Sequence, residues 1–278
     1  MNKIDSMTVE VFTDEDFLFL KEKIFQLAGI HLTEKKRELV RSRVQSFLRK
    51  STFNSLDELK VELMNSNPTV TQQFVNLLTT NKTDFFREPK HFDFLIYNLI
   101  PQWKKEGKTE IKIWCSASST GEEPYTIAMV LLNHLPKNIS FKILATDIDT
   151  QVLKKAQNGV YPISKIHEIP EEYQPYLVKG TNRANGWFKV SDEIHSKILF
   201  KPHNLVESTY PGDEVFDLIF CRNVLIYFER QTINKLMEKL HLSLKQPGHL
   251  FIGHSESIPG TQHLFGPIQP AVFRKISK

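Results

Sequence analysis

The chain has 278 residues, of which 40% are hydrophobic and 24% charged, as in ordinary globular proteins. This length allows one or two domains. The net charge of +4 is too small to indicate nucleic-acid binding by itself. No apolar run approaches the roughly 18 residues of a membrane span, and the N-terminus has acidic residues where a signal peptide needs an apolar stretch. We therefore expect a cytoplasmic protein.

The two cysteines, Cys115 and Cys221, have neither the spacing of a metal site nor the density of a disulfide framework. Both lie in apolar, strand-like segments. Because free cysteine is among the most buried residue types, we expect two buried thiols. A reducing compartment agrees with this expectation.

Charge is unevenly distributed along the first 50 residues. Residues 1–20 hold five acidic residues and one basic residue, whereas residues 21–50 hold nine basic and three acidic residues. In the second stretch, one half of a helical wheel is apolar, and it contains Leu39, Val40, Val44, Phe47 and Leu48. Lys35, Arg41 and Arg49 fall on the other half. The pattern predicts an amphipathic helix with a basic outer surface, which is either a docking face or simply solvated.

Two further helices are predicted near residues 56–65 and 69–78, separated by the helix-breaking sequence NSNP. We therefore predict an all-helical N-terminal domain over residues 1–76, and a second domain over residues 77–278.

From about residue 109 the pattern changes to alternating strands and helices. The predicted strands are IKIWCS, FKILATD, VFDLIFC and LFIGHS, and the predicted helices are EEPYTIAMVLLNHL, TQVLKKAQNG and RQTINKLMEKLHLSLK, the last followed by a turn at QPGH. Such alternation favours an α/β fold with a parallel sheet. Residues 186–201 interrupt it and resemble a short hairpin, so we predict a small antiparallel β appendage near residues 180–201.

Three signals converge where the carboxyl ends of parallel strands meet, which is where such sheets bind ligands. They are the turn at residues 116–121, Asp147 at the end of the next strand, and the sequence CRN after a later strand. The turn contains a single glycine, Gly121, whereas the dinucleotide fingerprint needs three. An acid in the position of Asp147 accepts hydrogen bonds from ribose hydroxyls, so a ribose-bearing ligand is the first hypothesis.

Two carboxylates open the helix after this turn, Glu122 and Glu123. Helix N-termini favour phosphates, but these glutamates would repel a pyrophosphate and suit a cationic ligand. S-adenosylmethionine carries a ribose, a sulfonium and an amino group, and no phosphate. The alternative is that both glutamates only interact with the helix dipole.

Five stretches resemble the chemotaxis receptor (protein-glutamate) O-methyltransferases, the CheR-type family. They are TTNKTDFFREPKHF, WCSASSTGEEPYTIAM, ATDID, FDLIFCRNVLIYF and GHSES, in family order, within a match from about residue 20 to residue 275. The resemblance implies a Rossmann-like S-adenosylmethionine methyltransferase sheet with a small antiparallel β appendage, preceded by an all-helical domain. It also implies methylation of glutamate side chains on the cytoplasmic helices of chemoreceptors.

The resemblance also implies the residues of the site. Those that contact the cofactor would be Asn81, Thr83, Arg87, Glu122, Asp147, Asn204, Leu205, Arg222 and Asn223. Arg87 would in addition hold the substrate carboxylate, and Tyr227 would face the methyl group. No metal is implied.

Partners follow from the same resemblance. The family is thought to dock a basic helix on acidic receptor helices, for which Lys35, Arg41 and Arg49 are the candidates. The β appendage of some members binds a receptor's C-terminal tail peptide, and whether this chain does so stays open. We expect a monomer that is not inserted in a membrane, does not bind nucleic acid and is recruited to membrane receptor arrays.

The chemistry needs no general base, because a glutamate with an ordinary pKa near 4.3 is already ionised at neutral pH. A serine hydrolase is excluded, since Ser257 replaces the last glycine of a nucleophile elbow in GHSES and no acid follows Glu256. A nucleic-acid methyltransferase is disfavoured, because this sequence lacks the Asn/Asp-Pro-Pro-Tyr/Phe motif that such enzymes often use to methylate nitrogen. The remaining alternative is a signalling adaptor with the methyltransferase fold that binds the cofactor without turnover.

Overall fold

The computed structural model describes residues 12–207 and 215–277. The first eleven residues of the predicted helical domain lie outside this range. Contacts divide the chain into two compact units. The first runs to Thr80 and includes Tyr227–Glu229, and the second comprises Asn81–Ile226 and the residues from Arg230 onward.

The first unit is helical. Its helices are α1 (Asp14–Ala28), α2 (Arg37–Lys50), α3 (Leu56–Met64) and α4 (Pro68–Leu78). Thr13 and Asp16 form a capping box at the start of α1, and Gly29 ends this helix in a left-handed conformation. Asn67 caps α4, whose first residue is Pro68. The helices predicted near residues 56–65 and 69–78 are confirmed.

The basic helix is also confirmed, with adjustments at its ends. Val40, Val44 and Leu48 are buried as predicted, whereas Leu39 is 43% exposed. Lys35 lies in a 3₁₀ turn (Glu34–Lys36) before α2. Arg41 and Arg49 are exposed, and Arg41 forms an ion pair of 2.6 Å with Glu38. The outward face of α2 is therefore basic but partly compensated by its own acid.

The second unit contains a seven-stranded mixed sheet in the order β6-β2-β1-β7-β8-β10-β9. Its strands are β1 (Glu110–Cys115), β2 (Ser140–Asp147), β6 (Ile198–Pro202), β7 (Phe216–Cys221), β8 (Leu244–Ile252), β9 (Phe265–Gln269) and β10 (Val272–Lys275). The first five strands in the order are parallel, and β10 is antiparallel to both of its neighbours. The predicted α/β, Rossmann-like class is confirmed.

Helices accompany this sheet. They are α5 (Lys90–Phe94), which continues through a π turn (Leu95–Leu99) into α6 (Ile100–Lys105), and α7 (Glu122–His134), α8 (Thr150–Asn158), α9 (Asp192–His195) and α10 (Arg230–Ser243). The central strand β7 is buried at every residue, as expected of a strand covered on both faces. Cys115 and Cys221 are fully buried, which confirms that prediction. Within the described ranges, every helix is too short or too polar to cross a membrane.

The strand order reverses between β1 and β7. Here the chain leaves β1 and enters the turn that precedes α7. The backbone N–H of Ser116 donates to the carbonyl of Phe220 at 2.9 Å, and that of Ser118 donates to the carbonyl of Thr146 at 2.9 Å. Gly121, with a φ of 99°, packs so closely that an added Cβ would lie 2.9 Å from Ala156 Cβ. Only glycine fits this position without strain.

The hairpin predicted over residues 186–201 is wrong. The small antiparallel sheet has the order β3-β5-β4, from β3 (Val160–Pro162), β4 (Leu177–Lys179) and β5 (Trp187–Val190). β6 instead joins the large sheet beside β2. β5 and β6 both alternate apolar and polar residues. This alternation does not reveal whether a strand pairs with its sequence neighbour or with a distant strand. The antiparallel appendage exists, but two of its three strands precede residue 180.

The turn predicted at QPGH also differs. These residues lie within β8, which contains a cis bond between Gln246 and Pro247. The pairing of β7 with β8 jumps from Phe216–Leu244 to Leu218–His249, so the extra residues form an irregularity inside the strand. The preceding helix α10 ends at Ser243.

Candidate active site

Asp147 ends β2 at the carboxyl edge of the sheet and is held by backbone N–H groups. Ser119 donates to one carboxylate oxygen at 2.8 Å, and Asp149 donates to the other at 2.9 Å. Only 8% of Asp147 is exposed, and burial raises its pKa to about 6 despite these hydrogen bonds. The side chain is therefore held in one orientation, and its carboxyl group is protonated more readily than that of an exposed aspartate.

Glu122 is buried at the start of α7 and is paired with Lys165. Lys165 Nζ lies 2.8 Å from one carboxylate oxygen, and the Thr120 hydroxyl donates to the other at 2.6 Å. Lys165 comes from a 3₁₀ turn (Ile163–Glu168) after β3. Burial lowers the pKa of Lys165, but its bond to Glu122 outweighs this effect and the pKa lies above its ordinary value. The lysine thus stays charged and compensates Glu122.

Arg222 follows β7 and is 5% exposed. Its Nη1 donates to Glu123 at 2.6 Å, and its Nη2 donates to the carbonyl of Arg87 at 2.6 Å and to Glu88 at 3.1 Å. Burial raises the pKa of Glu88, but the charge of Arg222 and the hydrogen bond from Asn223 outweigh it and hold the pKa below its usual range. A buried guanidinium therefore joins the helix after the turn to the segment that contains Arg87.

These two ion pairs change one step of the reasoning from sequence. Glu122 and Glu123 each have a cationic partner, so their charges are compensated. Repulsion of a pyrophosphate by the helix entrance is consequently weaker than the sequence alone suggests. The choice between ligands must rest on other observations.

Residues 81–87 form a segment anchored on these same groups. The Asn81 amide donates to Asp149 at 2.7 Å, and its carbonyl accepts from the Ser119 hydroxyl at 3.0 Å. The Thr83 carbonyl accepts from Lys165 at 3.1 Å. Three sequence-distant motifs of the predicted site are therefore brought together: NKT, the turn before α7 and ATDID.

The Arg87 side chain lies near solvent, where its Nη1 donates to the carbonyl of Lys82 at 3.1 Å. Its guanidinium keeps further donors for a ligand, since five N–H groups are available. This freedom distinguishes Arg87 from the buried Arg222.

Asn223 adopts a left-handed conformation with a φ of 58°. Its backbone N–H donates to Glu256 at 2.9 Å, and its amide donates to Glu88 at 3.2 Å. Glu256 also accepts from the N–H groups of Gly253 at 2.6 Å and Leu225 at 2.7 Å. Burial raises the pKa of Glu256 despite these donors. One carboxylate thus joins the loop after β8 to the loop after β7.

The remaining candidates are Asn204, Leu205 and Tyr227. The side-chain oxygen of Asn204, just after β6, accepts from the N–H of Val206 at 3.3 Å, and Leu205 is buried. Tyr227 belongs to the helical unit, where its carbonyl accepts from His31 at 2.8 Å and Lys36 Nζ lies 5.0 Å from its ring centre. The roles predicted for these three residues stay predictions.

Reasoning from sequence missed the residues that hold the site in place, namely Glu88, Asp149, Lys165 and Glu256. Three of them stand inside the quoted motifs, close to residues that were singled out. A count of charges would have flagged Glu88, because a buried Arg222 needs counter-ions. Lys165 stands in no motif. Nothing in its local sequence indicates that it reaches Glu122, 43 positions away.

The position of Glu256 generates a prediction about stability. Glu256→Gln keeps one acceptor oxygen but turns an NH₂ group toward backbone donors. Leaving buried donors unpaired costs about 1–3 kcal/mol each, so we expect a loss of roughly this size in the free energy of unfolding, measured in urea. The matched control is Glu171→Gln at an exposed position, which should change stability by less than about 0.5 kcal/mol. Equal stability of the two variants would contradict the role assigned to Glu256.

Two family models match this chain. The CheR methyltransferase SAM binding domain matches residues 81–273, and the CheR methyltransferase all-alpha domain matches residues 15–79. Together the two matches span both units of the structure.

Curated relatives agree over nearly the whole length. The chemotaxis protein methyltransferase of Borreliella burgdorferi is 38% identical over 273 residues, which is 95% of each chain. The chemotaxis protein methyltransferase 2 of Pseudomonas aeruginosa is 38% identical over 94% of this chain and 93% of its own. The chemotaxis protein methyltransferase of Escherichia coli is 36% identical over 91% and 88%, respectively.

Solved structures with similar folds are more distant. A rRNA methylase from Streptococcus thermophilus covers 68% of this chain and 95% of its own, with 13% identity and a TM-score of 0.37. A DhpI complex with SAH covers 68% and 77%, with 9% identity and a TM-score of 0.34. At these scores neither structure bears on the activity. The two family matches and the curated relatives do: the chain belongs to the CheR family of S-adenosylmethionine-dependent chemotaxis methyltransferases.

Proposed function

We propose that this protein transfers the methyl group of S-adenosylmethionine to glutamate side chains on the cytoplasmic helices of chemoreceptors, giving methyl esters. The observation that carries the proposal is the match to chemotaxis protein methyltransferases over 95% of the chain, which includes the helical unit as well as the cofactor domain. A methyltransferase that acts on a different kind of substrate would need to share only the cofactor domain with these relatives.

The residues present fit the cofactor. Asp147 has a fixed carboxylate with lone pairs to spare for ribose hydroxyls. In the turn before α7, the Ser118 hydroxyl is buried and has no hydrogen-bond partner among the described residues, so a ligand donor or acceptor would satisfy it. When bound, S-adenosylmethionine supplies an electrophilic methyl group on a sulfonium. We propose Asn81, Thr83, Asn204, Leu205 and Asn223 as the further binding residues.

The structure modifies two of the proposed contacts. Glu122 and Arg222 are each engaged by protein partners, Lys165 and the pair of Glu88 and Glu123. We propose that they act mainly by holding the site together. Arg222 still has capacity for a ligand, since its Nε has no hydrogen-bond partner among the described residues.

The protein's own contribution is alignment. The attacking glutamate is ionised at neutral pH and needs no base, and holding well-oriented reactants together is worth up to roughly 7–11 kcal/mol. We propose that Arg87 holds one oxygen of the substrate carboxylate and leaves the other free to attack, because a guanidinium forms strong, directional bonds to carboxylates. Tyr227 is the proposed neighbour of the methyl group.

The substrate itself can be tested directly. Incubation with labelled S-adenosylmethionine and membranes that contain chemoreceptors should place label on the receptors. That label should leave as methanol in mild alkali, as expected of carboxyl esters. Binding of the cofactor without any transfer would instead favour the signalling adaptor. Label that survives alkali would rule out a carboxyl ester.

Arg87→Ala should separate chemistry from binding. Because a hydrogen bond to a charged group contributes about 1.5–3 kcal/mol, we expect single-turnover methylation to fall at least about tenfold. The affinity for S-adenosylhomocysteine, measured by isothermal titration, should change much less. Arg183→Ala, an exposed arginine of the β appendage, is the control and should leave both quantities unchanged. Equal losses of rate and affinity in Arg87→Ala would remove its substrate role.

Asp147 predicts a pH dependence of cofactor binding. A pKa of about 6 means that the ionised form, which accepts from both ribose hydroxyls, is lost as the pH falls. The affinity for S-adenosylhomocysteine should therefore drop about fourfold between about pH 7.5 and about pH 5.5, in proportion to the ionised fraction. Asp147→Asn should bind more weakly and show a flat profile. A wild-type affinity that does not change over this range would contradict the prediction.

The basic face of the helical unit is the proposed receptor-docking surface. Replacing Lys35, Arg41 and Arg49 by alanine should weaken binding to an acidic receptor fragment roughly tenfold at low salt, because each exposed ion pair contributes about 0.5 kcal/mol. Salt should weaken wild-type binding more steeply than that of the variant. The control replaces three exposed lysines of the other unit, Lys104, Lys105 and Lys154. Affinity that is insensitive to salt would argue against electrostatic docking.

A further inference from the structure

Outside the proposed methyl-transfer contacts, the second unit brings together one carboxylate and two imidazoles. One ligand atom from each of Glu88, His91 and His254 lies within 4.8 Å of the others. Glu88 and His91 come from the start of the segment around α5, and His254 comes from the loop after β8. The backbone N–H of His254 also donates to Glu88 at 3.3 Å, so the two segments are already joined here.

His91 is the unexplained member of this cluster. It is completely buried, and neither ring nitrogen has a hydrogen-bond partner among the described residues. Its Nδ1 lies 3.5 Å from Glu88, outside hydrogen-bond geometry, and its ring stacks on Phe251 at 5.1 Å and meets the His254 ring at 4.8 Å. Buried polar groups are nearly always paired. A buried imidazole with two vacant nitrogens therefore calls for a ligand.

The electrostatics of the cluster favour a cation. The guanidinium of Arg222 lies between Glu88 and Glu123, so two carboxylates share one positive charge. Both ring nitrogens of His91 lack a hydrogen-bond partner among the described residues, so a lone pair of this imidazole is available to a cation. The cluster thus has surplus negative charge. Arg222 would keep Glu123 at 2.6 Å even if Glu88 turned to another cation.

One member of the cluster, His254, reaches solvent. His254 is exposed and lines a cavity of about 420 Å³ together with Lys90, Asp93 and Tyr97. An ion can enter from this side and keep water as a further ligand. Zinc bonds to nitrogen and oxygen are about 2.0–2.2 Å long. The three ligand atoms, now within 4.8 Å of one another, would therefore approach to roughly 3.4 Å when an ion binds.

We infer that Glu88, His91 and His254 form a binding site for a divalent transition-metal ion of the zinc class. Two imidazoles and one carboxylate are a donor set that zinc uses when it keeps a water ligand. Magnesium and calcium prefer sites made entirely of oxygen. Since the ion competes with Arg222 and Asn223 for the Glu88 carboxylate, its affinity is set by how readily Glu88 leaves those partners.

The test uses the untagged full-length protein, freed of metal with a chelator, and zinc chloride as the probe. Isothermal titration should show one zinc ion per chain. Cobalt(II), a visible analogue of zinc, should give the d–d absorption of a four-coordinate site. Both signals should persist in His263→Ala, which removes an exposed histidine of the same unit outside the cluster.

His254→Ala should weaken zinc binding at least tenfold and abolish the cobalt absorption. Because His254 is exposed, the variant should keep its fold, which circular dichroism checks. Glu88→Gln is a second variant and should lose the same signals. Wild-type protein that takes up no zinc would overturn the proposal. So would a folded His254→Ala that binds zinc with wild-type affinity, since the ion would then lie elsewhere. Neither result depends on methyl transfer.

Discussion

The candidate site depends on one buried arginine. The Arg222 guanidinium contacts Glu123 at the start of α7, Glu88 before α5 and the carbonyl of Arg87. A buried charge is costly unless it is paired and hydrogen-bonded, so these parts of the chain must converge wherever Arg222 is placed. Removing one partner would leave an uncompensated charge. Arg222 therefore holds the segment that carries Arg87 against the start of α7.

A second set of polar contacts joins further segments of the chain around the turn before α7. Lys165 reaches from the β appendage to Glu122 and to the carbonyl of Thr83, and Asp149 binds the amide of Asn81. Asp149 also caps α8 through the N–H groups of Gln151 and Val152. The loops that surround the site are thus fixed by charged side chains, while the apolar core lies beneath them. Loop order and secondary structure are coupled through the same few residues.

Most of the fold could be predicted from sequence because periodicity and helix caps are local signals. The strands that end at Cys115, Asp147 and Cys221 are where the pattern places them. The hairpin over residues 186–201 was wrong because pairing partners of a strand are chosen by distant segments. At the site, motifs indicated which residues gather. They did not indicate that Lys165 compensates Glu122, because an ion pair over 43 positions leaves no trace in local sequence.

The carboxylate of Asp147 is already oriented by the backbone N–H groups of Ser119 and Asp149. Its rotamer is therefore selected during folding, and the cofactor ribose that we propose as its partner would lose little free energy to the ordering of this side chain. The left-handed backbone of Ser119, with a φ of 48°, is part of the same arrangement. Conformational strain at Ser119 thus accompanies a carboxylate whose direction is set before any ligand binds.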